Sequence, residues 1–242
     1  MRHTAQRFTL LIDLVDCCIT QNYWDQILVY FWTQSIFDYV SARWSLYDIQ
    51  HALSEIAHAL GFESDIDRAG YCEHITRCIQ NDLWPKGLDH LLSSLTLVGI
   101  ESGYLSPQTH SDTVTSFKRW REKGWKVIVV HELSVSTQHQ LLEKAQSPRM
   151  LNTLSGCISL CADPDSNLHK DLLLQHNLTW QHRKTPRTAY AIISSRQHLL
   201  NWGKQNGYHP LRLNRRLNPE SPTDAIPHII DLNFADLLLS VS

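Results

Sequence analysis

Side chains able to do chemistry stand directly behind short apolar runs in this chain. Phe8-Thr-Leu-Leu-Ile12 ends at Asp13, with Asp16 three residues further on. Lys126-Val-Ile-Val-Val130 ends at His131-Glu132, with Ser134 close behind, and Ala189-Tyr-Ala-Ile-Ile193 ends at Ser194-Ser195. If the fold gathers them, Asp13, His131 and Glu132 supply two carboxylates and an imidazole, the ingredients of a metal site or an acid–base pair. Polar residues at strand ends also serve simply to hydrogen-bond the loops around them, and both uses stay open here. The vicinal thiols Cys17-Cys18 are open in the same way, to metal or catalytic work on one side and to buried packing on the other.

The elements that must position these residues are legible from periodicity. Residues 8–12 and 126–130 are short, branched and apolar, the pattern of strands buried on both faces of a parallel sheet. Residues 157–161, 189–193 and 210–213 read as further strands. Helical spacing of apolar residues covers 22–60, 65–100, 111–122, 135–146 and 166–177, and a further helix runs to Gly207. Strands thus alternate with helices at both ends of the chain, and a helical block of about 85 residues interrupts them. The expected architecture is α/β: residues 1–20 and 108–242 form a parallel sheet with helices on both faces, and residues 21–107 form a helical cap inserted after the first strand. Ligands of such sheets sit beyond the carboxyl ends of the strands. Here those ends are Asp13, His131, Ser159 to Cys161, and Ser194-Ser195.

Composition removes several classes of function. The 242 residues carry 22 Lys+Arg against 24 Asp+Glu, a formal net charge of −2. That balance excludes a general electrostatic grip on nucleic acid or on an anionic membrane. No apolar run approaches the 18 or so residues of a membrane span, and Asp13 and Asp16 interrupt the apolar N-terminal stretch, which argues against a signal peptide. Six cysteines in a chain of this length resemble neither a disulfide framework nor a zinc knuckle, which places the protein in the reducing cytoplasm. Phosphate-loop, dinucleotide-loop, zincin and nucleophile-elbow motifs are absent. Two clusters are left over. Tyr23, Trp24, Tyr30, Trp32, Trp44 and Tyr47 either fill a core or offer a partner an aromatic surface. Arg212, Arg215 and Arg216 form a small basic group in a polar loop.

Taken in order, these segments resemble the haloacid-dehalogenase superfamily, and within it the enolase-phosphatases (acireductone synthases). A strand ending in Asp followed by a helical cap corresponds to Leu10-Leu-Ile-Asp13. The family's Gly-Tyr-x-x-Gly-x-Leu run before a helix ending in Trp is similar to Gly99-Ile-Glu-Ser-Gly103-Tyr-Leu105 leading to Trp120. Its K-V-Y-I-Y-S-S-G-S-V-x-A-Q resembles Lys126-Val-Ile-Val-Val-His131-Glu-Leu-Ser134-Val-Ser-Thr-Gln138, and the closing His-Ile…Ser-Phe resembles His228 to Phe234.

The resemblance implies a phosphatase chemistry whose positions are largely replaced in this chain. In the family an Asp attacks phosphorus, and an acid two residues later protonates the leaving group. A Ser and a Lys hold the phosphoryl oxygens, and Mg2+ sits on the nucleophile and a further Asp. Asp13 occupies the nucleophile position and would also be a metal ligand. The acid position is Val15, so Asp16, one residue beyond it and standing where the family has Gly, is the candidate displaced acid. His131 stands at the phosphate-binding Ser, with Ser134 retained. The Lys position falls near Asp165, with Lys170 and Lys184 the nearby cations, and Ser195 replaces the metal-binding Asp. In the cap, Asp89-His-Leu-Leu-Ser93 replaces Lys-x-Leu-Gln-Gly. So many simultaneous losses imply a pseudo-phosphatase that binds, scaffolds or regulates through a protein partner, as a homo- or hetero-oligomer, without cofactor. The alternative is an active phosphatase using Asp13 and perhaps Asp16, with Mg2+ in a rearranged site.

Overall fold

The computed structural model describes residues 7–62, 66–146, 148–160, 188–215 and 226–235. The predicted helix over 166–177 and Cys161, Lys170, Lys184 and Arg216 lie outside them. Strand β1 (Arg7–Asp13) is the centre of a six-stranded sheet. The other strands are β2 (Lys126–His131), β3 (Gly156–Ser159), β4 (Thr188–Ser194), β5 (His209–Leu213) and β6 (His228–Ile229). Their order is β3-β2-β1-β4-β5-β6, and every neighbouring pair is parallel. The apolar runs are explained by burial from both sides: Leu10 and Ile12 join one core cluster while Leu11 joins the other with Ile128, Val130 and Ile192. Chain order reverses direction between β1 and β4, so the crevice at their carboxyl ends is the topological switch point.

Between β1 and β2 the chain is helical. A short α1 (Gln21–Tyr23), with the Thr20 hydroxyl accepting from the Tyr23 amide, runs through a π-turn (Trp24–Leu28) into α2 (Val29–Ala42). Then come α3 (Tyr47–Leu60), α4 (Arg68–Gln80), α5 (Leu88–Glu101) and α6 (Ser111–Glu122). The single helical run expected over 65–100 is two helices. Pro85 cannot donate a backbone hydrogen bond, and Gly87 holds φ +91° where a Cβ would collide with the Ala52 carbonyl. No helix among the described residues is long and apolar enough to cross a membrane.

After β2 come α7 (Val135–Gln146) and α8 (Pro148–Leu151), and after β4 comes α9 (Gln197–Gln205). Helix α6 packs Phe117 and Trp120 into one core cluster, and α9 packs Leu199 and Leu200 into the other. Gly203 brings α9 so close to β4 that a Cβ there would overlap the Ile192 side chain. The closing segment contains one strand that periodicity did not reveal. β6 is only two residues long, and its pairing with β5 rather than any apolar pattern defines it.

Candidate active site

β1 and β4 are paired through Ile12↔Ile193, which places Asp13 and Ser194 side by side at the switch point. Asp13 is 0% exposed. The Ser194 hydroxyl donates to its Oδ2 at 2.5 Å, and the Val15 amide donates to its Oδ1 at 3.2 Å. Two residues past Ser194, Arg196 caps the start of α9, its amide donating to Ser194 Oγ at 2.9 Å. The guanidinium folds back over the strand ends. Nε donates to Asp13 Oδ2 at 2.9 Å and Nη2 to Oδ1 at 2.8 Å, while Nη1 reaches Glu132 Oε2 at 2.8 Å. Both oxygens of Asp13 are therefore held by one planar fork, the geometry that suits arginine and not lysine. On its outer side Glu132 lies 3.3 Å from Nε2 of His198, from the first turn of α9.

Two carboxylates share one guanidinium at this centre. Burial pushes the Asp13 carboxyl above its usual range, while the charge and hydrogen bonds of Arg196 pull it back. Burial also acts to raise Glu132, but His131, Arg196 and the hydrogen bonds to Glu132 outweigh it and hold the carboxyl well below the ordinary range. Asp13 and Glu132 in turn hold the Arg196 guanidinium above its ordinary value despite burial. An ion triad out of water is favourable only where its members are well hydrogen-bonded, and here every nitrogen of the guanidinium meets a carboxylate oxygen.

His131 is also fully buried. Its Nδ1 accepts from the Leu133 amide at 3.0 Å, which puts the ring proton on Nε2, 3.4 Å from Glu132 Oε2. Burial drives its pKa down to about 3, against the pull of Glu132, so the ring is neutral at pH 7. The segment between β1 and β2 encloses it: Trp24 of the π-turn lies 4.7 Å and Trp84, in the loop between α4 and α5, 5.4 Å away, between ring centroids. The phosphate-binding position of the resemblance is thus filled by a neutral imidazole under two indoles.

Ser134 begins α7. Its amide donates to Ser93 Oγ of α5 at 2.8 Å, and its hydroxyl pairs with Thr137 Oγ1 at 2.9 Å and accepts from the Thr137 amide. Ser93, from the segment that replaces the family's cap motif, therefore ties α5 to the loop after β2. Gln138, retained in the resemblance, donates to the His131, Leu133 and Ile158 carbonyls and holds that loop from below.

Asp16 adopts φ +60°, the left-handed conformation expected of a position otherwise taken by Gly. Its carboxylate lies 3.3 Å from His110 Nε2, and its carbonyl accepts from Arg215 Nε at 2.8 Å. Ser195 sits in the loop between Ser194 and Arg196, its carbonyl 3.4 Å from Arg212 Nη1. Arg212 and Arg215 of the basic group are engaged within the fold, Arg215 also pairing with Asp112 at 3.0 Å. Cys17 and Cys18 are fully buried, and burial raises both thiols well above their ordinary pKa, so neither is a thiolate. Of the aromatic cluster, Tyr23, Trp24 and Trp32 are buried while Tyr30 and Tyr47 are exposed.

These residues do not fit a divalent cation. The oxygens that would coordinate it already carry a fixed guanidinium charge, and Ser195 brings no negative charge of its own. Among the described residues no group of three or more His, Cys, Asp or Glu is arranged to hold a metal ion. Arg196 is the residue that sequence reasoning missed. Its only signal is a basic residue immediately behind the Ser194-Ser195 strand end, which reads as an ordinary loop cation until the switch point places it above Asp13.

No protein-family profile and no curated protein matches the chain. Solved structures do. The UTR4 protein of Saccharomyces cerevisiae is similar with a TM-score of 0.60 at 15% identity, over 92% of this chain and 97% of that one. An L-2-haloacid dehalogenase, RSc1362, gives 0.53 at 14% identity, over 98% and 99%. A HAD phosphatase from Thermococcus onnurineus gives 0.50 at 14% identity, over 96% and 97%. At these identities the likeness is one of fold: the chain has the Rossmann-like α/β fold of the haloacid-dehalogenase-type hydrolases.

Proposed function

We propose that this protein is a catalytically silent relative of the enolase-phosphatases, with residues 21–107 as its cap, acting in the cytoplasm as a binding or regulatory subunit through protein contacts. One observation carries this: the carboxylate at the nucleophile position is fully buried, with both oxygens bound by Arg196. A nucleophile must present a free lone pair to phosphorus and a cation must meet the transferring oxygens. Here the lone pairs are spent on a guanidinium that stands where a metal charge would be needed. Trp24 and Trp84 enclose His131, which stands at the proposed phosphate-binding position. Support for the enolase-phosphatase subtype comes from the run Lys126 to Gln138, whose Gln138 still ties the loop after β2. Support for a reducing compartment comes from five free, buried cysteines, Cys17, Cys18, Cys72, Cys78 and Cys157.

A screen of phosphate monoesters with Mg2+, Mn2+ or Co2+ tests the proposal. The wild-type protein and Asp13→Asn are expected to give the same background rate. Turnover by the wild type that disappears in Asp13→Asn would establish the competing active hydrolase, with Asp13 as nucleophile.

A further inference from the structure

The two carboxylates at the strand ends both grip the same cation. Three nitrogens of one guanidinium meet three carboxylate oxygens: Nε and Nη2 of Arg196 meet the two oxygens of Asp13, at 2.9 and 2.8 Å, and Nη1 meets Oε2 of Glu132 at 2.8 Å. Arg196 is 11% exposed and both carboxylates are buried. The guanidinium thus lies as an ion lies in a coordination site, enclosed by converging anionic oxygens. The Ser194 hydroxyl stands beside it on Asp13 Oδ2, and the His198 ring meets the other oxygen of Glu132.

A tether distinguishes this cation from a free one. Arg196 opens α9, its amide donating to Ser194 Oγ at 2.9 Å, and Gly203 seats the same helix against Ile192 of β4. Folding alone delivers the charge, at an effective concentration that dilution cannot lower. A free divalent ion would have to expel the buried guanidinium and strip it of its three partners, a strongly unfavourable exchange. The oxygens themselves are nevertheless those of a hard-cation site, with two carboxylates facing a single positive charge on the guanidinium. The side chain holds the carboxylates apart by its own width, and among the described residues no three His, Cys, Asp or Glu surround a common point as they stand. One side chain accounts for the misfit to a metal.

We infer that Arg196 is the resident cation of this centre: Asp13 and Glu132 form a cation site that the chain fills with its own guanidinium, so that the folded protein is closed to divalent ions and loss of that side chain opens the site to one. Glu132 is thereby the second anionic ligand of the cation. The inference deepens the catalytically silent reading and shares Arg196 with it, yet the two fail separately. A wild type that binds a divalent ion at Asp13 and still transfers no phosphoryl group would refute the inference and leave the silence standing.

Binding of Mn2+ to the full chain, read from loss of the free-ion electron paramagnetic resonance signal, tests this. Thermal unfolding in Mn2+ or EDTA runs beside it, and circular dichroism verifies the folding of every variant. The wild type is expected to bind Mn2+ no better than Asp13→Asn does, and to unfold at the same temperature in Mn2+ as in EDTA. Arg196→Ala is expected to bind Mn2+ about tenfold or more tightly than the wild type, and to unfold at a higher temperature in Mn2+ than in EDTA. Adding Asp13→Asn or Glu132→Gln to Arg196→Ala is expected to remove that gain. Should Arg196→Ala be unfolded in EDTA, Mn2+ is expected to refold it, and Arg196→Gln, which keeps most of the stem packed, repeats the binding measurement. A wild type that binds Mn2+ through Asp13 overturns the inference. So does the absence of a gain in both Arg196→Ala and Arg196→Gln, or a gain that survives Asp13→Asn.

Discussion

Replacing Arg196 by alanine is expected to lower stability by about 3–5 kcal/mol at pH 7, the cost of leaving buried carboxylates without their counter-charge. Asp13 is fully buried and Glu132 is 7% exposed, so water cannot substitute for the lost guanidinium. The effect should depend on pH in a definite direction. Burial already raises the Asp13 pKa, and removing Arg196 removes the charge that opposes that rise. An acid whose folded-state pKa lies above its unfolded value stabilises at low pH and loses that contribution as pH rises through the folded value. The penalty of Arg196→Ala should therefore shrink as the solution is acidified and Asp13 takes up a proton. Neutralising the whole triad, with Asp13→Asn, Glu132→Gln and Arg196→Gln together, should cost less than Arg196→Ala alone, because no uncompensated charge is left. Denaturant unfolding at pH 5 and pH 7 checks both comparisons. A fully stable Arg196→Ala protein would show that the guanidinium holds nothing.

The second large effect belongs to His131. A histidine neutral in the folded state with a pKa of about 3, against an ordinary value of 6.5, must be protonated on unfolding in mild acid. Below pH 6.5 the unfolded chain binds a proton that the folded chain refuses, so stability rises with pH across that window and falls as pH drops toward 3. Between pH 7 and pH 4 the expected loss from this one ring is about 3 kcal/mol. Glu132, whose carboxyl is held below its ordinary range, adds in the same direction as pH falls through the acid range. His131→Gln removes the titrating group, and its stability curve should be flatter over pH 4–7, even if the variant is less stable at pH 7 for want of packing against Trp24 and Trp84. Chemical denaturation at stepped pH checks this, and an unchanged slope would place the acid sensitivity elsewhere.

Much of the frame is legible in the sequence. β1 and β2 are parallel-sheet strands buried on both faces, so their sequences are continuous apolar runs, and the polar residues behind them mark the crevice. Asp13 and His131 were found for that reason. What periodicity could not supply was whatever depends on neighbours distant in sequence. β6 exists because β5 offers it a ladder. Apolar spacing continues on both sides of Pro85 and Gly87 and conceals the break there. Arg196 is the largest omission. A single arginine behind a strand has no pattern of its own. Its role comes from three strand ends converging, so that its guanidinium meets Asp13 of β1 and Glu132 behind β2 while its backbone amide donates to Ser194 of β4. The aromatic cluster shows the same limit, because its residues divide between core and surface according to which side of each helix meets a neighbour.

Arg196 also gives physical content to the losses read from the sequence. On the proposed reading Val15, His131 and Ser195 each replace one catalytic feature of the phosphatases the chain resembles, whereas Arg196 adds an intramolecular cation that binds the remaining carboxylate. A proposed loss of metal-binding charge at Ser195 and the positive charge at Arg196 are electrostatically consistent, since Asp13 would otherwise be a buried anion without a counter-charge.

The most direct measurement is of the Asp13 carboxylate itself. The protein is incubated with acetyl phosphate and Mg2+, quenched in acid and digested, and the peptide containing Asp13 is weighed by mass spectrometry. With both oxygens held by Arg196, that peptide is expected at its unmodified mass. A phosphoryl group on Asp13 would contradict the account and show that the carboxylate is free to attack.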